Sequence, residues 1–221
     1  MAREQFIREL QSVQSSMLVM ASMVEKAIQR SVNALKTRDL KLAQEVVDDD
    51  FKINQQRFGI EEQCLLIITT QQPVASDLRV IAAVLNIITD LERMGDHAEG
   101  IAKIAIMIGD EPPLKPLVDV PRMEELSRSM LRRTMDAFVA RDAEAAKAIG
   151  AEDDIIDNLY EQIYRELLTF MMADPGTINR ATHLLWVAHN LERIADRVTN
   201  ICERVIFLVT GRMDEINVSK Y

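Results

Sequence analysis

The sequence predicts an all-α protein built as two tandem antiparallel three-helix bundles, and three observations carry that expectation. Gly (7 of 221 residues) and Pro (6) are scarce, and aromatics make up only 5%. With Ala, Leu, Ile, Glu and Arg abundant, this is a helix-forming composition, poor in the turn residues and aromatics a β-sandwich needs. Four of the six prolines fall in GDEPPLKPLVDVP (109–121), which marks a linker near the middle of the chain. The two sides of that linker also repeat each other: TDLERMGDHAEGI (89–101) returns as HNLERIADRVTNI (189–201), RDLKLA (38–43) as RDAEAA (141–146), and DDFKIN (49–54) as EDDIID (152–157). The expected units are residues 1–112 and 113–221.

The first predicted helix runs about 5–37 and the second about 39–71, with Asp39 at the break. Pro73 ends the second. The third runs about 77–108, capped by Ser76 or Asp77 and closed by Gly109. Along it Val84, Ile87, Ile88, Leu91, Ala98, Ile101 and Ala105 share one face. The fourth, fifth and sixth run about 121–140, 142–172 and 177–210. Asp142 and Thr177 are candidate caps, and Gly211 closes the last. Pro73 and Pro175 hold matching places in the two halves. The turns are short, so sequential helices are expected to lie antiparallel. Met17, Met20 and Met23 share a helical face and read as core filler. Gly95 and Gly100, inside the third helix, suggest close helix packing.

Charge and cysteine content exclude several functions. There are 12 basic and 16 acidic residues in 1–110, and 14 and 19 in 111–221, so both halves are acidic. Neither has the basic footprint that nucleic-acid binding requires. No apolar run reaches the roughly 18 residues of a membrane span. The N-terminus lacks the apolar core of a signal peptide. Cys64 and Cys202 stand alone and read as free thiols of a cytoplasmic protein. No phosphate-binding glycine loop or nucleophile triad is present.

The chemistry lies in the carboxylates. Acidic pairs at i, i+4 spacing occur at Glu92–Asp96, Asp153–Asp157 and Glu192–Asp196, with a weaker version at Asp50–Asn54. Residues four apart differ by about 40° around a helix, so each pair projects from one stripe. Like charges there repel by a few tenths of a kcal/mol. Folding the chain at Pro73 and at Pro175 brings the pairs of each hairpin level, about 30 Å from the turn at 1.5 Å per residue. Oxygen donors in this arrangement suit a hard cation. The candidate metal ligands are therefore Asp50, Asn54, Glu92, Asp96, Asp153, Asp157, Glu192 and Asp196, with Asn54 offering an oxygen but no charge. The candidate cofactor is a divalent or trivalent metal ion: Fe, Mn, Mg or Zn, with the choice left open. His189 and His97 stand near enough to supplement a site. Against this stands a plainer reading, in which Arg93 and Arg193 neutralise the pairs in surface salt bridges.

QQPVASDLR (71–79), DLERMGDHA (90–98) and NLERIADR (190–197), placed in order in two three-helix units, resemble the PhoU family of bacterial phosphate-signalling accessory proteins. The resemblance extends from the first helix to about residue 211, and the family's E/DxxxD signature falls on the pairs above, with Asn54 departing from it. It implies a cytoplasmic, metal-binding, commonly dimeric regulator without enzymatic activity. Such a protein represses the phosphate-starvation response by coupling the Pst phosphate ABC transporter, through its ATPase subunit, to the PhoR sensor histidine kinase. It implies neither nucleic-acid binding nor membrane insertion. The alternative is a carboxylate metalloenzyme in a helical bundle; that class places His three residues after Glu, and no Glu here is so followed.

Overall fold

The computed structural model describes residues 2–213 and 216. Its elements are α1 (Ala2–Thr37), α2 (Leu40–Gln71), α3 (Ser76–Ile108), α4 (Asp119–Ala140), α5 (Ala143–Gly150), α6 (Asp153–Ala173), a 3₁₀ turn (Pro175–Thr177) and α7 (Ile178–Thr210). There is no strand among the described residues. α1–α3 form one three-helix bundle and α4–α7 the other, with the second bundle's middle helix in two pieces.

That break corrects the single helix expected over 142–172. It falls at Ala151 and Glu152, directly after Gly150. Glycine weakens a helix interior, and here the backbone is also closely approached: a Cβ on Gly150 would lie 2.9 Å from Ile216 Cδ1. Arg133 of α4 holds Glu152 with two hydrogen bonds, at 2.7 and 2.5 Å, and so pins the interruption.

The termini follow local chemistry with two exceptions. Asp39 and Asp142 are equivalent N-caps, accepting from the amides of Leu42 and Ala145 at 2.9 Å. Gly109 and Gly211, at φ 62° and 74°, end α3 and α7. The cap expected from Ser76 or Asp77 is absent, because α3 begins after Ala75 (φ 47°) with no side-chain cap bond. Thr177 likewise does not cap α7. Its hydroxyl donates back to the carbonyls of Phe170 and Asp174 and so closes the 3₁₀ turn.

The two bundles share one core. The most extensive packing between elements is that of α3 against α7, one helix from each bundle, and α1 packs on α4 beside it. Met17, Met20 and Ile28 of α1, Leu91 and Met94 of α3, Met123 of α4, and Leu191 and Ile194 of α7 are almost wholly buried. Each such side chain contributes about 1.5–3 kcal/mol. α2 and α6 lie outermost, packed mainly within their own bundles. The proline-rich linker lies against the body of the protein: Leu114 and Leu117 pack on the core, and Lys115 forms ion pairs with Asp119 and Glu166.

Two carboxylate clusters as the candidate site

The equivalent hairpins α2–α3 and α6–α7 each bring carboxylates from two helices to one level. In the first, Asp50 of α2 faces Glu92, Asp96 and Glu99 of α3. Burial, then the negative charges of Glu99 and Asp96, push the Asp50 carboxyl up to about 6. Asn54 opposes this by donating its amide to Asp50 Oδ2 at 2.9 Å. Gly95 makes the approach of α2 possible, since a Cβ there would lie 3.2 Å from Ile53 Cδ1 and 3.4 Å from Asp50 Oδ1.

In the second hairpin Asp157 of α6 faces Glu192 and Asp196 of α7. Burial first, then the charges of Glu192, Asp196 and Asp154, raise its pKa. Glu192 is raised as well, chiefly by burial, with Arg193 opposing the shift. His189 Nδ1 stands 3.4 Å from Glu192 Oε2, and its ring lies 6.1 Å from that of Tyr160. His97 goes elsewhere, with Nδ1 2.9 Å from Asn190 Oδ1 across the α3–α7 interface. Gly100 meets the same Asn190, whose Oδ1 would lie 3.2 Å from an added Cβ.

The structure therefore groups Asp50, Asn54, Glu92 and Asp96, and separately Asp157, Glu192 and Asp196. Asp153, the counterpart of Asp50 at the offset of 103, lies one turn before Asp157. It is buried in the first turn of α6, and its charge is felt at the Cys202 thiol, six residues beyond Asp196. The break after Gly150 makes Asp153 the first residue of α6.

Each Glu–Asp pair carries an arginine. Arg193 donates Nε to Glu192 Oε2 at 2.8 Å and an Nη to Glu192 Oε1 at 2.9 Å, and its other Nη lies 3.0 Å from Asp196 Oδ2. Arg93 sits more loosely, 3.7 Å from Glu92 and 3.3 Å from Asp96. Among the described residues, no three His, Cys, Asp or Glu side chains converge closely enough to hold an ion as they stand.

Two features escaped the sequence reading. Glu99 adds a carboxylate to the first cluster, where the second has Thr199. The charge that Asn54 lacks thus stands one turn further along α3, held by Lys103 at 2.6 Å. The other is a repeated ion pair beside each cluster, Arg30 to Asp49 at 2.7 Å and Arg133 to Glu152. Arg30 and Arg133 are 103 residues apart, the offset of DDFKIN and EDDIID, so the signal was present in the sequence.

The comparisons with known proteins agree with this architecture. A PhoU domain matches residues 17–105 and again 120–205. The chain is 40% identical over 206 residues to the "Phosphate-specific transport system accessory protein PhoU homolog" of Aquifex aeolicus (strain VF5), covering 93% of each chain. The homolog of the same name from Clostridium acetobutylicum is 38% identical over 218 residues, covering 98% of this chain and 100% of the relative. The crystal structure of PhoU from Pseudomonas aeruginosa superposes with a TM-score of 0.90 at 39% identity, covering 94% of this chain and 100% of that one. That of the phosphate transport system regulatory protein PhoU from Streptococcus pneumoniae gives 0.88 at 32% identity, covering 95% and 99%.

Proposed function

The chain belongs to the PhoU family, and from that premise we propose that it is a cytoplasmic negative regulator of the phosphate-starvation response. In this reading it docks on the ATPase subunit of the Pst transporter and on the PhoR-type sensor kinase, as a homodimer, and it carries the transporter's state to the kinase by contact. The observation that carries the reading is full-length likeness: relatives near 40% identity, named as accessory proteins of phosphate-specific transport, are matched over nine-tenths or more of both chains. PhoU proteins are accessory proteins and not enzymes. No helix among the described residues is long and apolar enough to cross a membrane.

A divalent or trivalent cation fits the chemistry of the two clusters. The donors are all oxygen, the carboxylates repel one another, and Gly95 leaves room beside Asp50. Asp50, Asn54, Glu92 and Asp96, with Glu99, would hold it in the first repeat, and Asp153, Asp157, Glu192 and Asp196 in the second. A bound cation would neutralise these groups and brace α2 to α3 and α6 to α7. Acidic clusters repel free phosphate, and anion sites are otherwise built from helix N-termini and basic groups. Contact with the transporter, and not capture of phosphate, is therefore the expected input.

No observation favours the metalloenzyme alternative. Its two-helix Glu-x-x-His pattern is missing, and the clusters lie on separate hairpins, not around one four-helix centre.

The test is genetic and biochemical. Deletion is expected to leave phosphate-starvation genes switched on in phosphate-rich medium, and the purified protein to bind the transporter ATPase or the kinase's cytoplasmic portion. Normal repression in the deletion strain would refute the regulatory role. Saturable binding of phosphate to metal-free protein would refute the contact mechanism.

A further inference from the structure

The arginines that follow Glu92 and Glu192 are the least explained charged groups near the clusters. The Arg133–Glu152 pair ties α4 to the start of α6, and Arg30–Asp49 ties α1 to α2. Among the described residues, Arg193 makes no hydrogen bond or ion pair to another helix, and toward α6 it offers only a longer-range attraction to Asp157. Its hydrogen-bond and ion-pair partners, Glu192 and Asp196, are on its own helix. A same-helix pair of this kind contributes only a few tenths of a kcal/mol to helix stability. Yet the guanidinium covers both oxygens of Glu192 and one of Asp196. Arg93, at the equivalent place in α3, spans Glu92 and Asp96 in the same way.

We infer that Arg93 and Arg193 are built-in counter-cations of the two Glu–Asp pairs, and that a metal ion binds only by displacing them. The inference rests on the metal-binding reading above. A hard cation needs carboxylate oxygens at about 2.0–2.6 Å, and the guanidinium already holds both oxygens of Glu192 and one of Asp196. Sharing them would set two positive centres a few ångströms apart in a partly desolvated site, where their repulsion is poorly screened. Glu192 is only 13% exposed, whereas Arg193 is 42% and Arg93 59% exposed. The two glutamates, Glu92 at 18% and Glu192 at 13%, are thus more enclosed than the arginines, which are free to turn into solvent. Metal-free protein is closed by its own arginine; metal-loaded protein presents that arginine on its surface. Because Arg193 grips more tightly than Arg93, the second repeat has the larger barrier to metal entry.

The test is calorimetric titration of the full chain with Mn²⁺ after chelator treatment. Arg193→Gln is expected to tighten Mn²⁺ binding in the second repeat by about tenfold, the loss of one charge-assisted competitor. Arg93→Gln is expected to give a smaller gain in the first. Arg193→Lys keeps the charge but not the fork and should fall between. Arg165→Gln, which removes the same charge from the same hairpin at the Glu161 pair, should leave binding unchanged. If the wild type binds Mn²⁺ and Arg193→Gln binds it no more tightly, or Arg165→Gln tightens it equally, displacement is wrong while the metal reading stands. If no variant binds Mn²⁺ at millimolar concentration, the metal reading falls and displacement with it.

Discussion

Asp90 and Asn200, one on each central helix, are joined by a hydrogen bond from the Asn200 amide to Asp90 Oδ1 at 3.2 Å. Arg197 lies 3.5 Å from the same oxygen. Ten residues along α3 and ten back along α7 the relation is repeated with the roles of the helices exchanged: Asn190, the counterpart of Asp90, meets His97 and Gly100. The Asn190 amide is spent on the carbonyl of Trp186 at 2.8 Å, so its Oδ1 accepts and His97 Nδ1–H donates. The two bundles are therefore locked by a duplicated polar clasp across an antiparallel α3–α7 pair.

Asp90→Ala is expected to lower the unfolding free energy by about 1–3 kcal/mol, since it leaves Asn200 and Arg197 without their acceptor in a mostly buried place. Asp90→Asn, which keeps an acceptor and sheds a charge that burial disfavours, should cost less. Urea midpoints of the two variants check the order.

Gly95→Ala should change stability by no more than about 1 kcal/mol, because gained helix propensity offsets a contact with Ile53 that can yield slightly. Gly95→Leu has no room and must push α2 off α3. It is expected to cost about 1–3 kcal/mol or more and to weaken cation binding at the first cluster. Calorimetry and thermal melts on the same samples measure both.

The pH response of metal-free protein has a definite sign at Asp50. Its folded carboxyl titrates near 6 against about 3.9 unfolded. Folded protein thus binds the extra proton between those values, and its stability falls as pH rises through that window. Asp50→Asn should remove this slope. The group is half-buried, so the effect is discounted for screening to about 1–2 kcal/mol. Urea melts at pH 4 and 7.5 in chelator would show wild type and variant diverging; parallel curves would show that Asp50 feels no such crowding.

Glu152 has the opposite sign. The Arg133 guanidinium hydrogen-bonded to it holds its pKa below the usual value, so its contribution is present above the unfolded pKa and is lost as pH falls. Arg133→Ala is expected to cost about 1 kcal/mol at neutral pH and progressively less as pH falls and Glu152 becomes protonated. Loss of the pair also frees the break between α5 and α6, which should raise hydrogen exchange at residues 150–153.

The linker should resist proteases despite its prolines, since Leu114 and Leu117 are packed and Lys115 is ion-paired. Lys115→Ala with Leu117→Ala is expected to expose it to limited proteolysis, seen as two fragments near half the chain length. Prompt cutting of the wild type there would show the packing to be weak.

Much of the architecture is legible in the chain because the relevant physics is local or additive. Asp39 and Asp142 announce helix starts, Gly109 and Gly211 helix ends, and Pro73 and Pro175 the turns. Given the turns, the level of Asp50 against Glu92–Asp96 and of Asp157 against Glu192–Asp196 follows by counting residues at 1.5 Å each. The duplication adds a second copy of the argument.

What the chain could not show by itself is which neighbour each side chain meets around the helix axis, because that depends on packing between segments far apart in sequence. Residue counting set the height of the carboxylates. Only the tertiary structure decided that Glu99 joins the first cluster, that the helix breaks after Gly150 and makes Asp153 a first-turn residue, that Arg93 and Arg193 fold back onto the acids, and that α3 and α7 clasp through Asp90 and Asn190. Height along a helix accumulates from bonded geometry, whereas contact across helices is the outcome of burying one shared core.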